Sequence, residues 1–324
     1  MTQYQFRKFE DSDYLAFVEL RNQVFPEYPS TVEEVRRWDG MREPGHFFQR
    51  LVALDAKTKR VVGAVTLRHN FFSFNPHLLW MDLAVHPEFQ RRGIGTQLYE
   101  KCVQLTREAK VPRLRTQVSE KRESGLNFVK KFEFAEHHRV FESKLDLKKF
   151  DFTKFDDPAP TLKANGIILT TLGHEIENLR FEQAYHKVKK AYEMSNECAQ
   201  DIPTPDGISP ISFERFLDLT VASPTTDLKS FQLAKCGEKY VGISHLIISE
   251  KDPVMYQALT GVLRDCRRKG IALALKLQGI RYAITKGFQY VRTNNDTVNV
   301  GMLAINRELG FMPEPSWIHF QREV

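Results

Sequence analysis

The chain is poor in cysteine, with four in 324 residues. Cys102, Cys198, Cys236 and Cys266 stand far apart, without the short spacings of a metal site or a disulfide framework. Neither metal nor disulfide is expected, and the scatter fits core packing in a reducing, cytoplasmic setting. There is no run of about 18 uncharged apolar residues, so no membrane span is expected. The opening MTQYQFRKFEDSDYL lacks the apolar core of a secretory leader. Basic residues outnumber acidic ones, 47 to 41, for a net charge of +6 and a pI near 9.0. No block of five or six cations occurs, so a nucleic-acid partner is not expected either. What remains is an ordinary soluble composition, 42% hydrophobic and 27% charged, of a length that favours two domains.

A repeat confirms the division. QRRGIGTQL at 90–98 has a counterpart in RRKGIALAL at 267–275. Val85 matches Val262, a spacing of 177, and the same spacing pairs Arg91 with Arg268, Gly93 with Gly270, and Leu98 with Leu275. It then carries on through Arg115-Thr116 with Arg292-Thr293, Leu126 with Leu303, and Phe134 with Phe311. A register kept from strand through helix to a second strand and helix implies two homologous domains. Between them, residues 146–166 lose periodicity and carry Asp-Pro and Ala-Pro, which break helices. The boundary is placed near 157, giving domains 1–157 and 158–324.

Both halves read in the same order. In the first, strand YQFRKF precedes a helix over 13–25. A short helix in STVEEVRRW follows, with Ser30 and Glu33 in capping-box spacing. Strands FFQRLVALD, RVVGAVTLRHN and LLWMDLAV come next. A helix with Leu98, Cys102, Leu105 and Ala109 on one face then leads to strand RLRTQV, helix SGLNFVKKF and strand HHRVFESKL. The second half shows GIILTTL, helices over 175–192 and 209–219, then SFQLAKC, KYVGISHLIIS and MYQALTGV. It ends with a helix from Ile271, YVRTNN, a helix near 299–309, and WIHFQREV.

The chemistry gathers between strand LLWMDLAV and the helix after it. A glycine turn feeding a helix N-terminus is an anion cradle, because its backbone N–H groups converge. Gly93 and Gly95 leave room for phosphate oxygens, and Arg91 and Arg92 add charged donors. A Walker loop would need Lys-Ser or Lys-Thr after the last glycine, where Thr96-Gln97 stand. A dinucleotide fingerprint would need a third glycine.

This turn resembles the acetyl-CoA signature of the GCN5-related N-acetyltransferase (GNAT) superfamily, Gln/Arg-x-x-Gly-x-Gly/Ala between the fourth strand and third helix. Gln90-Arg91-Arg92-Gly93-Ile94-Gly95 satisfies it, and so does Arg267-Arg268-Lys269-Gly270-Ile271-Ala272. A second family mark is similar to Asn299, Met302 and Gly310-Phe311. The resemblance covers the whole chain as a tandem, an arrangement similar to that of mycothiol synthase. It implies an α/β (α+β) architecture of two GNAT-like domains. Each is a mixed, mostly antiparallel sheet flanked by helices and splayed between its fourth and fifth strands. It also implies acetyl-CoA as co-substrate. The groups implied to hold it are Leu83, Ala84, Val85 and Gln90 to Thr96 in the first half. In the second half they are Val262, Arg267 to Ala272 and Asn299.

The family tyrosine that protonates the departing CoA thiolate would fall at Val129 and Asn306, and neither is a phenol. An asparagine of the pattern is replaced by Arg122. Asp82 is the candidate general base, with His86 second, and strand N–H groups around Leu83 to Val85 would meet the oxyanion. The second half's own fourth strand, VMYQALTGV, has no carboxylate, so the first half is expected to carry transfer. Glu27, Tyr28 and Asp201 are candidates for a cationic acceptor, and Thr293 to Asn295, read as leaving a strand, for the pantetheine amides. The aromatic stretch 70–77 is expected to pack on the other domain. The acceptor is expected to be a primary amine of a small molecule or peptide, and the chain a monomer or homodimer. The rival expectation is a CoA-binding or interaction protein that kept the fold without turnover.

Overall fold

The computed structural model of the chain describes residues 3–324. The first repeat runs β1 (Tyr4–Lys8), α1 (Tyr14–Val24), α2 (Val32–Gly40), β2 (Phe48–Asp55), β3 (Val61–Arg68), β4 (Leu78–Val85), α3 (Ile94–Glu108), β5 (Arg113–Ser119), α4 (Glu123–Lys131) and β6 (Ala135–Asp146). The second runs α5 (Ala159–Ala164), β7 (Ile167–Thr171), α6 (Leu172–Ile176), α7 (Phe181–Gln200), α8 (Phe213–Leu219), β8 (Phe231–Cys236), β9 (Lys239–Ile248) and β10 (Val254–Val262). It closes with α9 (Ile271–Thr285), β11 (Tyr290–Asp296), α10 (Val300–Glu308), β12 (Met312–Pro313) and β13 (Trp317–Glu323). Three helix starts differ from the sequence reading. Thr31, not Ser30, caps α2 by accepting from Glu34 N–H, because the Asn22 side chain holds both backbone groups of Ser30. Thr171 caps the separate short α6, so the long helix begins at Phe181 rather than near 175. Ser212 caps α8, which starts at Phe213.

The compact units are not separated by a single cut at 157. One joins Trp317–Val324 to the segment that ends at Arg139, and the other is Val140–Ser316. In the first unit β1, β2, β3 and β4 pair antiparallel in order, β5 lies parallel to β4, and β13 lies antiparallel to β5. In the second, β7, β8, β9 and β10 pair antiparallel, β11 is parallel to β10, and residues 140–146 of β6 run antiparallel to β11. Mixed, mostly antiparallel sheets with flanking helices are the architecture expected.

The pairings reveal a reciprocal exchange. Trp317 lies opposite Ser119 and Glu323 opposite Arg113, while Val140 lies opposite Asp296 and Asp146 opposite Tyr290. At the repeat spacing these are equivalent pairs. The last strand of each repeat therefore lies beside the fifth strand of the other repeat, in the same register. The stretch read as a linker is also structured: Phe150, Phe152 and Phe155 pack on the second unit's core around Leu145, Leu277 and Val291.

Each sheet buries its helix α3 or α9 closely. A Cβ on Gly63 would stand 2.9 Å from Ile94 Cγ2, and one on Gly242 3.0 Å from Ile271 Cγ2, so glycine in the strand lets the helix approach. Cys102 and Cys198 are core residues whose thiols burial pushes up to about 12. The aromatic stretch packs within its own unit: Phe71 and Phe72 edge against Trp38, and Phe74 stacks on His46 at 4.3 Å. Among the described residues, no helix is long and apolar enough to cross a membrane.

Candidate functional site

Two turns share one backbone. Gln90 and Arg267 are extended, Arg91 and Arg268 are left-handed (φ 63° and 64°), and Gly93 and Gly270 are left-handed again (φ 83° and 78°). Arginine is strained in that region and glycine is not. Alternating hands turn successive amides inward, which is the concavity that holds oxyanions. The first amides taken up by each helix are Gln97 N–H, bonded to Gly93 O, and Ala274 N–H, bonded to Gly270 O. Those of the preceding turn have no helical partner. A Cβ on Gly270 would point into open space, and one on Gly93 would meet only the Gln97 side-chain Nε2, at 3.9 Å. Gly95 is different: its Cβ would meet Phe128 Cε2 at 3.3 Å, so it seats α4 rather than opening the turn to a ligand.

Each turn is fastened to the strand before it. Gln90 Nε2 donates to Val85 O at 3.1 Å and Arg267 Nε to Val262 O at 2.9 Å. Either side chain supplies an N–H of the right reach. Arg91, Arg92, Arg268 and Lys269 are exposed around the turns. Arg267 is shared with Asp201, which also takes Arg264 Nε at 3.0 Å. These guanidinium bonds hold the Asp201 carboxyl at about 2. Ile94 and Ile271 are buried as the first core residues of their helices. Thr96 Oγ1 accepts from Lys131 Nζ at 3.3 Å, and Asn299 caps α10 through Met302 N–H.

The strands part as expected. β4 and β5 pair only from Leu78–Arg113 to Trp80–Arg115, and β10 and β11 only from Val254–Tyr290 to Tyr256–Arg292. Beyond those pairs each sheet forks. His86 N–H bonds Val62 O, so by alternation the amides of Leu83 and Val85 face the fork while that of Ala84 faces β3. β10 has an irregularity that β4 lacks, a register shift between Gln257 and Leu259. Gln257 Nε2 fills it, donating to Leu259 O at 3.0 Å and His245 O at 2.9 Å.

Asp82 is half-buried, with Oδ2 3.3 Å from Arg68 Nη2. Arg21 of α1 lies within its electrostatic reach, and burial holds that guanidinium below its usual range. His86 is placed otherwise than a base requires. Its ring is 7% exposed, Nδ1 faces Glu88 N–H at 3.3 Å, and Nε2 lies 2.6 Å from Arg60 Nη2. Burial and the Arg60 charge keep it neutral by lowering its pKa, and it shapes the turn. The residues suggested for a cationic acceptor are committed elsewhere. Glu27 pairs with Arg122 at 2.8 Å, the Tyr28 hydroxyl accepts from Trp317 Nε1 at 3.3 Å, and Asp201 holds the two arginines. Thr293 to Asn295 do not leave a strand; they lie within β11, opposite Ser143 to Phe141.

The exchange supplies residues that sequence reasoning missed. Glu142, from the first repeat, is 4% exposed and lies opposite Asn294, with Oε1 3.5 Å from Arg292 Nη1. A carboxylate from the first repeat therefore lies on Arg292, a member of the last β10–β11 pair, although β10 has none. The equivalent place in the first unit holds His319, edge-on to Trp80 at 5.0 Å. Only the pairing of distant strands carries this signal.

Comparison with known proteins agrees with the geometry. A profile of the acetyltransferase (GNAT) family matches residues 13–134. The fold is similar to that of a GCN5-related N-acetyltransferase from Sphaerobacter thermophilus, with TM-score 0.70 and 18% identity over 100% of this chain and 96% of that one. It is also similar to a tandem GNAT protein from the clavulanic acid biosynthesis pathway, with TM-score 0.71 and 18% identity over 99% of this chain and 98% of that one. No curated protein matches at the sequence level. Residues 13–134 thus match the GNAT family, and the whole chain shares the fold of a tandem GNAT protein.

Proposed function

We propose that the chain is an acetyl-CoA-dependent N-acetyltransferase that acts on a primary amine of a small molecule or peptide. The observation that carries this reading is the coincidence, in both units, of a forked sheet with a left-handed amide turn at the strand's end. The turns at Gly93 and Gly270 would hold the pyrophosphate, with Arg91, Arg92, Arg268 and Lys269 as its cations. The pantetheine arm would lie along β4 or β10 and bring the thioester to the fork.

An alkylamine with a pKa near 10.4 must lose a proton before it attacks. At pH 7 that costs roughly 4.6 kcal/mol. A positioned base returns about 10²–10⁴-fold. In the first unit Asp82 is that base, directly or through water, and the amides of Leu83 and Val85 meet the tetrahedral oxyanion. Arg68 and Arg21 beside Asp82 favour an acceptor that carries an anionic group near its amine. The amine's nitrogen attacks the carbonyl carbon, the carbon–sulfur bond breaks, and CoA leaves as its thiol.

The test is titration with acetyl-CoA followed by release of free thiol across a panel of amines, with and without a neighbouring carboxylate. Faster release with amino acids than with simple alkylamines supports the reading. Release no faster than the uncatalysed rate with every amine contradicts it.

A further inference from the structure

The two repeats differ in what lies beyond the last strand. In the second unit β6 runs beside β11, and Leu147 N–H carries the pairing one step further, to Gln289 O at 2.9 Å. Two short 3₁₀ turns follow, Leu147–Lys149 and Phe152–Lys154. They lay Phe150, Phe152 and Phe155 on the core to which α9 contributes Leu277 and Ile280. The rings of Phe150 and Phe155 stack at 5.5 Å, and the Arg281 guanidinium lies 4.6 Å from the centre of Phe152. Lys148, Lys149 and Lys154 stay exposed. An aromatic segment interspersed with lysines covers this face of α9.

The first unit has the equivalent face without the cover. Val324 N–H bonds Pro112 O at 2.9 Å, so at the repeat spacing Val324 takes the place of Leu147. Beside it lies a cavity of about 560 Å³. Its volume falls in the range of ligand cavities, about 300–1,000 Å³. The α3 residues Glu100, Val103 and Gln104 line it, where α9 has Leu277, Ile280 and the Arg281 that stacks on Phe152. The floor is aromatic. The Tyr99 and Phe132 rings meet at 4.1 Å, and Arg322 Nη1 pins them by donating to the Tyr99 hydroxyl at 2.9 Å and to Phe132 O at 2.5 Å. Glu323 at its edge lies opposite Arg113, which pairs with Leu78 at the closed end of the β4–β5 ladder. The cavity therefore stands at the other end of the sheet from the Gly93 turn.

The rim has changed its charge. Glu100, Glu108 and Gln104 stand where α9 has Leu277, Thr285 and Arg281, so two carboxylates are gained and a cation is lost. Arg107, in place of Ile284, returns one charge, and that of Arg322 is turned inward to Tyr99 and Phe132.

We propose that this cavity docks a segment of a partner protein that carries two or three phenylalanine-like side chains interspersed with lysines. Residues 147–155 display the chemistry such a segment needs. Its rings fill the apolar floor over Tyr99, Val103 and Phe132, and its cations meet Glu100 and Glu108 at the rim. Docking there is independent of acetyl-CoA.

The probe is a peptide with the sequence of residues 147–155, LKKFDFTKF, labelled with fluorescein at its N-terminus and amidated at its C-terminus. It is titrated with the full chain and followed by fluorescence anisotropy. We expect saturable binding, at least about tenfold weaker when the three phenylalanines are replaced by serine. Val103→Lys sets a cation over the apolar floor and should weaken binding at least about tenfold. Reversing the rim with Glu100→Lys and Glu108→Lys together should weaken it at least about threefold, with a larger effect at low salt. These positions are exposed or half-buried and lysine suits a helix, so both chains should melt as the wild type does. No saturable binding to the wild type, or equal binding of the serine peptide, would overturn the proposal. So would undiminished binding to both variants, the result expected if the peptide displaced Phe150–Phe155 in the second unit instead.

Discussion

Trp317, near the end of the chain, lies opposite Ser119 at the end of β5, and its indole donates to the Tyr28 hydroxyl at 3.3 Å. The last strand thus closes the first unit, along with Arg115 Nη2, which donates to Gln321 Oε1 at 2.6 Å. Removing residues 317–324 should therefore loosen the first unit. Amides of Arg113–Ser119 should exchange with solvent at least about tenfold faster, as an uncovered edge strand would, while those of Tyr290–Asp296 stay protected. Hydrogen exchange read by mass spectrometry checks this; the opposite pattern would mean that each repeat keeps its own last strand.

Arg50 and Asp39 form a buried pair, with contacts of 2.7 and 3.0 Å, and Tyr14 donates to the same carboxylate at 2.8 Å. Phe9 and Phe17 cover the guanidinium. Asp39→Ala leaves that charge unpaired and should cost about 3–5 kcal/mol in urea unfolding. Replacing an exposed partner such as Asp11, which pairs with Arg36, should change the midpoint little. Similar losses in both variants would show that Arg50 finds another partner.

How much of this was legible in the residues varies from site to site. The turns at Gly93 and Gly270 were readable because glycine reports its backbone and the repeat reports itself. The forks followed from the family resemblance. The exchange was not readable: residues 140–146 and 317–323 are equivalent in the repeat, so either strand suits either β5 or β11 equally well. Glu142 and His319 were hidden for the same reason. Asp201 and Glu27 were misassigned because sequence shows a carboxylate but not the arginine that occupies it.

Asp201 carries a pH signature. Its folded pKa of about 2 lies below the unfolded carboxylate value, so its bonds to Arg264 and Arg267 contribute fully above about pH 4. That contribution is lost as pH falls through 2. Asp201→Asn should flatten the wild-type decline in stability between about pH 4 and 2 and leave the slope near neutrality unchanged. Parallel melting curves for the two chains across this range would remove Asp201 from the acid response.

Asp82→Asn should lower amine acetylation by about 10²-fold or more in a chain carrying Gly270→Asp, where only the first turn is loaded. Acetyl-CoA affinity should hold, since the carboxylate faces the amine and not the cofactor. Turnover that is unchanged from pH 6 to 9 would dismiss Asp82 as the base and direct attention to Glu142, beside Arg292 in the other unit.

The central claim is that the two left-handed turns are the acetyl-CoA cradles. Calorimetric titration of the wild type, Gly93→Asp, Gly270→Asp and the double variant tests it most directly. An aspartate at either glycine adds strain at positive φ and a negative charge where the pyrophosphate would sit. The wild type should bind acetyl-CoA, each single variant should lose the binding at its own turn, and the double variant should give no heat while still melting cooperatively. A folded double variant that binds acetyl-CoA as the wild type does would contradict the account.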